Sequence, residues 1–223
     1  MEKEEKTGNE KISFTAEAIA LMREQEDTDP FSKYFVSEKT RKKYFWLKKL
    51  TPKRKLREVF ERRILLTKEI DSFIESYKPE QILELASGYS PRGLLMTQKN
   101  KNLKYLETDF KSVIESKKKI FKKIEKGEEI SIRKNHFLIP FDVIKNDFNF
   151  LLKYFDRNKR TLILAETLSN YLSEEEHKKL IFNIIKFLDN FKNSAYLSHE
   201  SKFAMTSSLL GRILMLYRNV VAK

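Results

Sequence analysis

The run from Gln81 to Gly93, QILELASGYSPRG, constrains this chain more than any other stretch. A short apolar strand, Ile82-Leu83-Glu84-Leu85, passes directly into Ala86-Ser87-Gly88, three residues with small side chains or none. A helical stretch follows from near Pro91. This is the handover from a parallel strand to a helix across a crevice that takes a nucleotide-like ligand. Small residues let a ligand approach the backbone, and a helix N-terminus adds N–H donors. A second strand, from Lys104 to Thr108, ends at Asp109. That acid lies about twenty residues on, the spacing at which a βαβ unit sets a carboxylate against ribose hydroxyls.

From Glu80 onward strand and helix patterns alternate. Strands are expected over Ile82–Leu85, Lys104–Thr108, His136–Ile139, Thr161–Ala165 and Ala195–Ser198. Helices are expected over Pro91–Asn100, Phe110–Lys126, Asp142–Phe155, Ser173–Phe191 and Ser201–Val220. Ser173 followed by three glutamates reads as a capping box. The alternation predicts an α/β fold, a mostly parallel sheet flanked by helices. Upstream, residues 1–10 read as a tail, 11–78 as a helical lid or cap, and 79–223 as the ligand-binding domain. Asp29-Pro30 breaks the cap before a short helical piece from Phe31 to Val36. Pro52 divides the basic stretch 41–63, with Thr51 as an N-cap. Glu61 to Tyr77 forms a further helix, with Ile64, Leu65, Ile70, Phe73 and Ile74 expected to face inward.

The net charge of +13 is unevenly placed. Residues 39–68 hold thirteen Lys and Arg against Glu58 and Glu61 alone, interleaved with Tyr44, Phe45 and Trp46. This is either a patch for an anionic partner (nucleic acid, acidic protein or anionic lipid) or a solvated helix face. Cysteine is absent, which removes a disulfide framework and makes a reducing, cytoplasmic interior the expected compartment. The histidines His136, His177 and His199 are scattered, so no metal site is expected. The first residues lack the apolar core of a signal peptide, and no apolar run approaches a bilayer span.

Several acids compete for the crevice. Glu84, inside an apolar strand, either pairs with a lysine or a backbone amide, or stands near a ligand amino group or orders the turn. Gly88 serves the turn itself or ligand approach. Asp109 either contacts the ligand or caps the helix from Phe110. Glu107 is assigned to the face opposite Asp109, leaving one of the two for the crevice, and Asp109 is preferred. Asp142, after the third strand, contacts a base amine or caps the next helix. Glu166 ends the fourth strand, where a carboxylate suits a cationic amine. Asn170 and Tyr171 follow it before the capped helix. Acids converging on one rim favour a positively charged ligand over a polyphosphate. The turn also lacks a P-loop lysine and the full three-glycine dinucleotide pattern, which weighs against ATP and NAD(P).

These residues resemble the leucine carboxyl methyltransferase family of class I S-adenosylmethionine (SAM) dependent methyltransferases, including its bacterial polyketide O-methyltransferase-like branch. Thr15-Ala16, Arg23 and Asp29-Pro30-Phe31 are similar to the family's N-terminal entry. ELASGYSPRG at 84–93 resembles its first SAM motif, YLETDF at 105–110 its second, and AETLSNYLSEEE at 165–176 its motif after strand four. The resemblance implies a Rossmann-like fold with SAM as cofactor. It sets Ala86, Ser87 and Gly88 against the methionine portion, Asp109 on the ribose, Asp142 near the adenine and Glu166 near the amino group. The family's carboxylate-gripping arginine aligns with Leu66, and Arg63, one turn earlier and backed by Arg62, is taken in its place. Class I enzymes end in a β-hairpin, expected here to be shortened or absent.

The function so implied is O-methylation of a small-molecule or peptide carboxylate, which needs no general base because the acceptor is already ionised; Asn170 and Tyr171 are then the candidate acceptor contacts, Tyr171 equally as a core residue. Two alternatives remain. One is an RNA-directed methyltransferase using the basic aromatic segment. It lacks the Asn/Asp-Pro-Pro-aromatic motif of base amino methylation, since Glu166-Thr167-Leu168-Ser169 stands there. The other is a catalytically inactive SAM-binding module.

Overall fold

The computed structural model describes residues 16–26, 29–50 and 53–199, without the side chains of 47, 48, 50, 53–60, 62, 63, 170 and 199. The expected tail, the Thr51 cap and the helix Ser201–Val220 lie outside the described residues. β1 (Gln81–Leu85) is buried at every position, the pattern of a strand covered on both faces. It pairs in parallel with β2 (Lys104–Asp109) and β4 (Thr161–Glu166). β3 (His136–Pro140) joins β2 and β5 (Ser194–His199) joins β4, also in parallel. The order is β3-β2-β1-β4-β5. The chain therefore winds outward in one direction through β2 and β3 and in the other through β4 and β5. The reversal falls between β1 and β4, and this is where parallel α/β sheets bind ligands. All five expected strands form, within one residue at each end.

Alternation along the strands feeds two cores. Leu83, Leu85, Leu106 and Ile163 pack on one face with Leu151, Ile184 and Phe187. Ile82, Tyr105, Leu162 and Leu164 pack on the other with Ile70 and Ile74. The last two belong to α3 (Lys53–Tyr77). Its inward stripe is Leu66, Ile70 and Ile74, four residues apart, while Leu65 is 59% exposed. The expectation for Leu65 is thus corrected: it sits about 100° around the helix from Leu66.

The other helices on the sheet are α4 (Arg92–Lys99), α5 (Lys111–Gly127) and α6 (Glu174–Leu188). Ser173 caps α6 as expected: its hydroxyl accepts from Glu176 N–H, and its own N–H donates to the Glu176 carboxylate. The expected helix Asp142–Phe155 does not form. Residues 142–146 make a turn and Phe148–Tyr154 a 3-10 helix. Asp142 accepts from Ile144 and Lys145 N–H, and Asp147 from Asn149 N–H. Short polar side chains here bond the backbone more closely than an α-helix would allow.

The N-terminal cap consists of α1 (16–25), a 3-10 helix (Ser32–Phe35) and α2 (Glu38–Leu50). Asp29 fixes the 3-10 helix by accepting from Phe31 and Ser32 N–H. Ala20, Phe31 and Phe35 share a core with Tyr89, Leu94, Val113 and Phe121, so the cap is packed onto α4 and α5. Among the described residues no helix is long and apolar enough to cross a membrane.

Gly93 is where α4 meets β2 and β3. A Cβ there would lie 2.2 Å from Glu107 Oε1, 2.7 Å from His136 Nε2 and 2.9 Å from Tyr105 Cδ1. Gly93→Ala is expected to cost about 1–3 kcal/mol or more by overpacking. Urea denaturation measures it; an unchanged midpoint would contradict this packing.

Candidate functional site

The chain leaves both central strands in a left-handed conformation. Ala86 after β1 has φ of 50°, Gly88 51°, and Thr167 after β4 59°. For Ala86 and Thr167 this backbone is strained; at Ala86 such strain persists only where surrounding bonds hold it. Here they do. Ser87 N–H donates to Thr108 C=O at 2.9 Å, and Gly88 N–H donates to Asp109 Oδ2 at 2.7 Å. Asp109 Oδ1 accepts from Phe110 N–H at 2.7 Å. Asp109 thus braces the glycine turn; α5 takes Phe110 as N-cap, without a side-chain cap. Burial raises the Asp109 carboxyl above its ordinary range, partly offset by these two N–H groups. α1 passes over the turn: a Cβ on Gly88 would stand 3.7 Å from Ala16 Cβ.

Beside the turn, one buried arginine gathers three acids. Arg92 is 5% exposed. Its Nη1 donates to Glu84 Oε1 at 3.1 Å, its Nη2 to Glu166 Oε2 at 3.1 Å, and its Nε to Asp71 Oδ1 at 3.0 Å. Tyr105 OH donates to the other Glu84 oxygen at 2.8 Å. Arg23, from α1, approaches Glu166 Oε2 at 3.6 Å. The partners of Glu84 are therefore an arginine and a tyrosine rather than a lysine or a backbone amide. The cluster holds three carboxylates against two guanidinium groups. Glu84 is the most deeply buried of the three acids, and burial raises its pKa to about 7 against the pull of Arg92.

Below the turn lies a second buried set. Lys117 Nζ bonds Glu107 Oε2 and reaches Ser87 Oγ at 3.2 Å. Glu107 Oε1 meets His136 Nε2 at 2.7 Å. Burial opposes the charge on Glu107, but Lys117 and His136 outweigh it and bring the pKa down to about 2. The assignment of Glu107 to the face opposite Asp109 is corrected here. Residues two apart on a strand share a face, and both carboxylates feel Lys117.

Asp142 lies on the same rim after β3, its Oδ1 occupied by the turn it caps and its Oδ2 3.9 Å from Lys145 Nζ. Tyr171 is 54% exposed, so it is not a core residue. The side chains of Asn170 and Arg63 lie outside the described residues. Sequence reasoning missed Arg92 and Lys117. Lys117 carries a readable signal: it interrupts the apolar stripe Val113, Ile114, Phe121 and Ile124 of α5. A cation at such a position needs a buried acid. Arg92 had a weaker one, a buried strand glutamate without an assigned cation.

A doubly covered parallel sheet with a small-residue turn and rim carboxylates at its switch point is a Rossmann-like architecture. The sequence profile of the leucine carboxyl methyltransferase family matches residues 14–185, and the chain belongs to that family. No curated protein matches it. Among solved structures it is similar to a Nostoc punctiforme protein assigned as an O-methyltransferase, at 14% identity and a TM-score of 0.45. It is also similar to coclaurine N-methyltransferase bound to N-methylheliamine and SAH, at 16% and 0.43. A third is the plantazolicin methyltransferase BamL in complex with a triazolic desmethylPZN analog and SAH, at 14% and 0.42. These alignments cover 66%, 60% and 84% of this chain and 41%, 36% and 58% of those chains. The chain thus spans less than two thirds of the length of each.

The two buried sets give opposite pH responses. A raised Glu84 pKa adds stability below its ordinary 4.5, and that stability is lost as pH rises through about 7. A lowered Glu107 pKa adds stability above 4.5 that is lost as pH falls through about 2. The thermal midpoint of the wild type should therefore fall relative to Glu84→Gln as pH rises through about 7; a constant difference would contradict the raised Glu84 pKa. Lys117→Met should cost about 3–5 kcal/mol by stranding Glu107. Adding Glu107→Gln should recover part of the loss in urea titrations, and full additivity would contradict the pairing.

Proposed function

We propose that this chain binds S-adenosylmethionine at the C-terminal rim of β1, β2 and β4 and methylates an oxygen acceptor, foremost a carboxylate. The observation that carries the reading is the convergence of the braced glycine turn, Asp109 and Glu166 at the switch between β1 and β4. This donor set fits the cofactor. A turn of small residues admits it closely, and carboxylates suit its ammonium, its sulfonium and its ribose diol. The family membership supports the same choice.

Ala86, Ser87 and Gly88 line the methionine portion. Ser87 contributes backbone there, since its hydroxyl is engaged by Lys117. Asp109 takes the ribose hydroxyls: each carboxylate oxygen offers a second lone pair beyond the N–H it already accepts. Glu166 takes the amino group. Arg23, beside it at 3.6 Å, joins Arg63 as a candidate for the ligand's carboxylate. Asp142 stands for the adenine amine. Glu84 acts through Arg92 by setting the rim rather than by touching the ligand, because it is 1% exposed. When bound, the cofactor supplies an electrophilic methyl group. Asn170 and Tyr171 orient the acceptor. A carboxylate acceptor is ionised at neutral pH, so positioning is the main contribution asked of the chain, about 7–11 kcal/mol in favourable cases.

Calorimetric titration with SAM and with SAH tests the reading. Micromolar binding is expected, weakened about tenfold or more in Asp109→Ala by loss of charged hydrogen bonds. Asp109→Asn, which retains an acceptor for Gly88 N–H, separates ligand loss from collapse of the turn. Absence of heat with either ligand on folded protein would overturn the proposal. Binding without turnover across carboxylic acids would restrict it to a SAM-binding module.

A further inference from the structure

The methyl-transfer site leaves α2 unexplained. Its inner side is anchored, with Thr40 and Tyr44 buried and Tyr44 packed on Leu21. Its outer side carries Phe45 and Trp46, 55% and 63% exposed. Their rings meet edge to face at 6.3 Å. Lys49 Nζ lies 4.5 Å from the Phe45 centroid and 5.2 Å from that of Trp46. Lys39, Lys42 and Lys43 are exposed on the preceding turns. The nearest exposed acid on the helix is Glu38, and Arg41 is bonded to Glu24 and Glu38. The two large apolar rings are therefore held away from the core inside a field of lysines.

We propose that this face of α2 is a docking surface for an anionic lipid bilayer. Charge complementarity selects an anionic partner. Ring geometry selects lipid over nucleic acid. Base stacking needs an open ring face, whereas here Lys49 covers a face of each ring and the pair packs edge to face. Ring edges instead suit entry into the boundary between headgroups and acyl chains. Lys42 and Lys49 lie about one helical turn before and after the aromatic pair. Lys42 can keep its ammonium group at lipid phosphates while its stem follows the rings inward, and Lys49, seated over both rings, brings its charge to the level at which they enter. The helix would lie in the bilayer surface without spanning it. The inference does not depend on the methyl-transfer reading.

Trp46 is the only tryptophan of the chain, so its emission reports this face directly. The full chain is mixed with phosphatidylcholine vesicles with or without phosphatidylglycerol, and with a single-stranded oligoribonucleotide. The expected result is a blue shift and co-sedimentation with the anionic vesicles alone, reversed by high salt. Lys42→Gln and Lys49→Gln should each weaken partitioning about fivefold. Phe45→Ser should abolish the shift with the thermal midpoint unchanged, since the residue is exposed. Three results would overturn the proposal: no shift with anionic vesicles, equal binding to neutral ones, or quenching by the oligonucleotide while vesicles leave the emission unchanged. The last would assign the face to nucleic acid.

Discussion

The site depends on the buried guanidinium of Arg92. A charge removed from water is tolerated only where partners and hydrogen bonds replace hydration. Arg92 finds them in three elements at once: Asp71 on α3, Glu84 on β1 and Glu166 at the end of β4. An arginine can serve three carboxylates because its donors form a rigid planar fork, which a lysine lacks. The contact also fixes where the first turn of α4 sits over the sheet. Arg23 adds α1 to the same cluster through Glu166. One side chain thereby ties α3, α4 and the C-terminal ends of the paired strands β1 and β4 together.

The glycine turn beside it is held from three directions. Asp109 and Thr108 receive its N–H groups from the β2 side. Lys117 holds Ser87 from below, itself locked by Glu107, whose other oxygen His136 holds. α1 closes above, with Ala16 against Gly88. These bonds maintain left-handed backbone at Ala86, where a side chain disfavours it. A turn held in this way needs little further ordering when a ligand arrives, which favours affinity. The same bonds explain why so many ionisable groups are buried in a small volume.

The parts of this arrangement that were readable in the sequence are local ones. Strand periodicity, the small-residue turn, the acid at the end of β2 and the Ser173 capping box each follow from neighbouring residues, and each forms as expected. Leu65 failed because two adjacent leucines fit the helical stripe and packing selected Leu66. The stretch 142–155 failed because Asp142 and Asp147 bond the backbone locally in competition with an α-helix. Glu107 was set on the wrong face although its two-residue spacing from Asp109 already placed both together. The pairings of Arg92 and Lys117 depend on elements far apart in sequence and become visible only once the sheet assembles.

A crystal structure of the chain with S-adenosylhomocysteine tests the proposed cofactor site most directly. The ribose is expected on Asp109, the amino group at Glu166, and Arg92 still bridging Glu84 and Glu166. Ligand density away from the rim of β1, β2 and β4, or an Arg92 withdrawn from both glutamates, would contradict it.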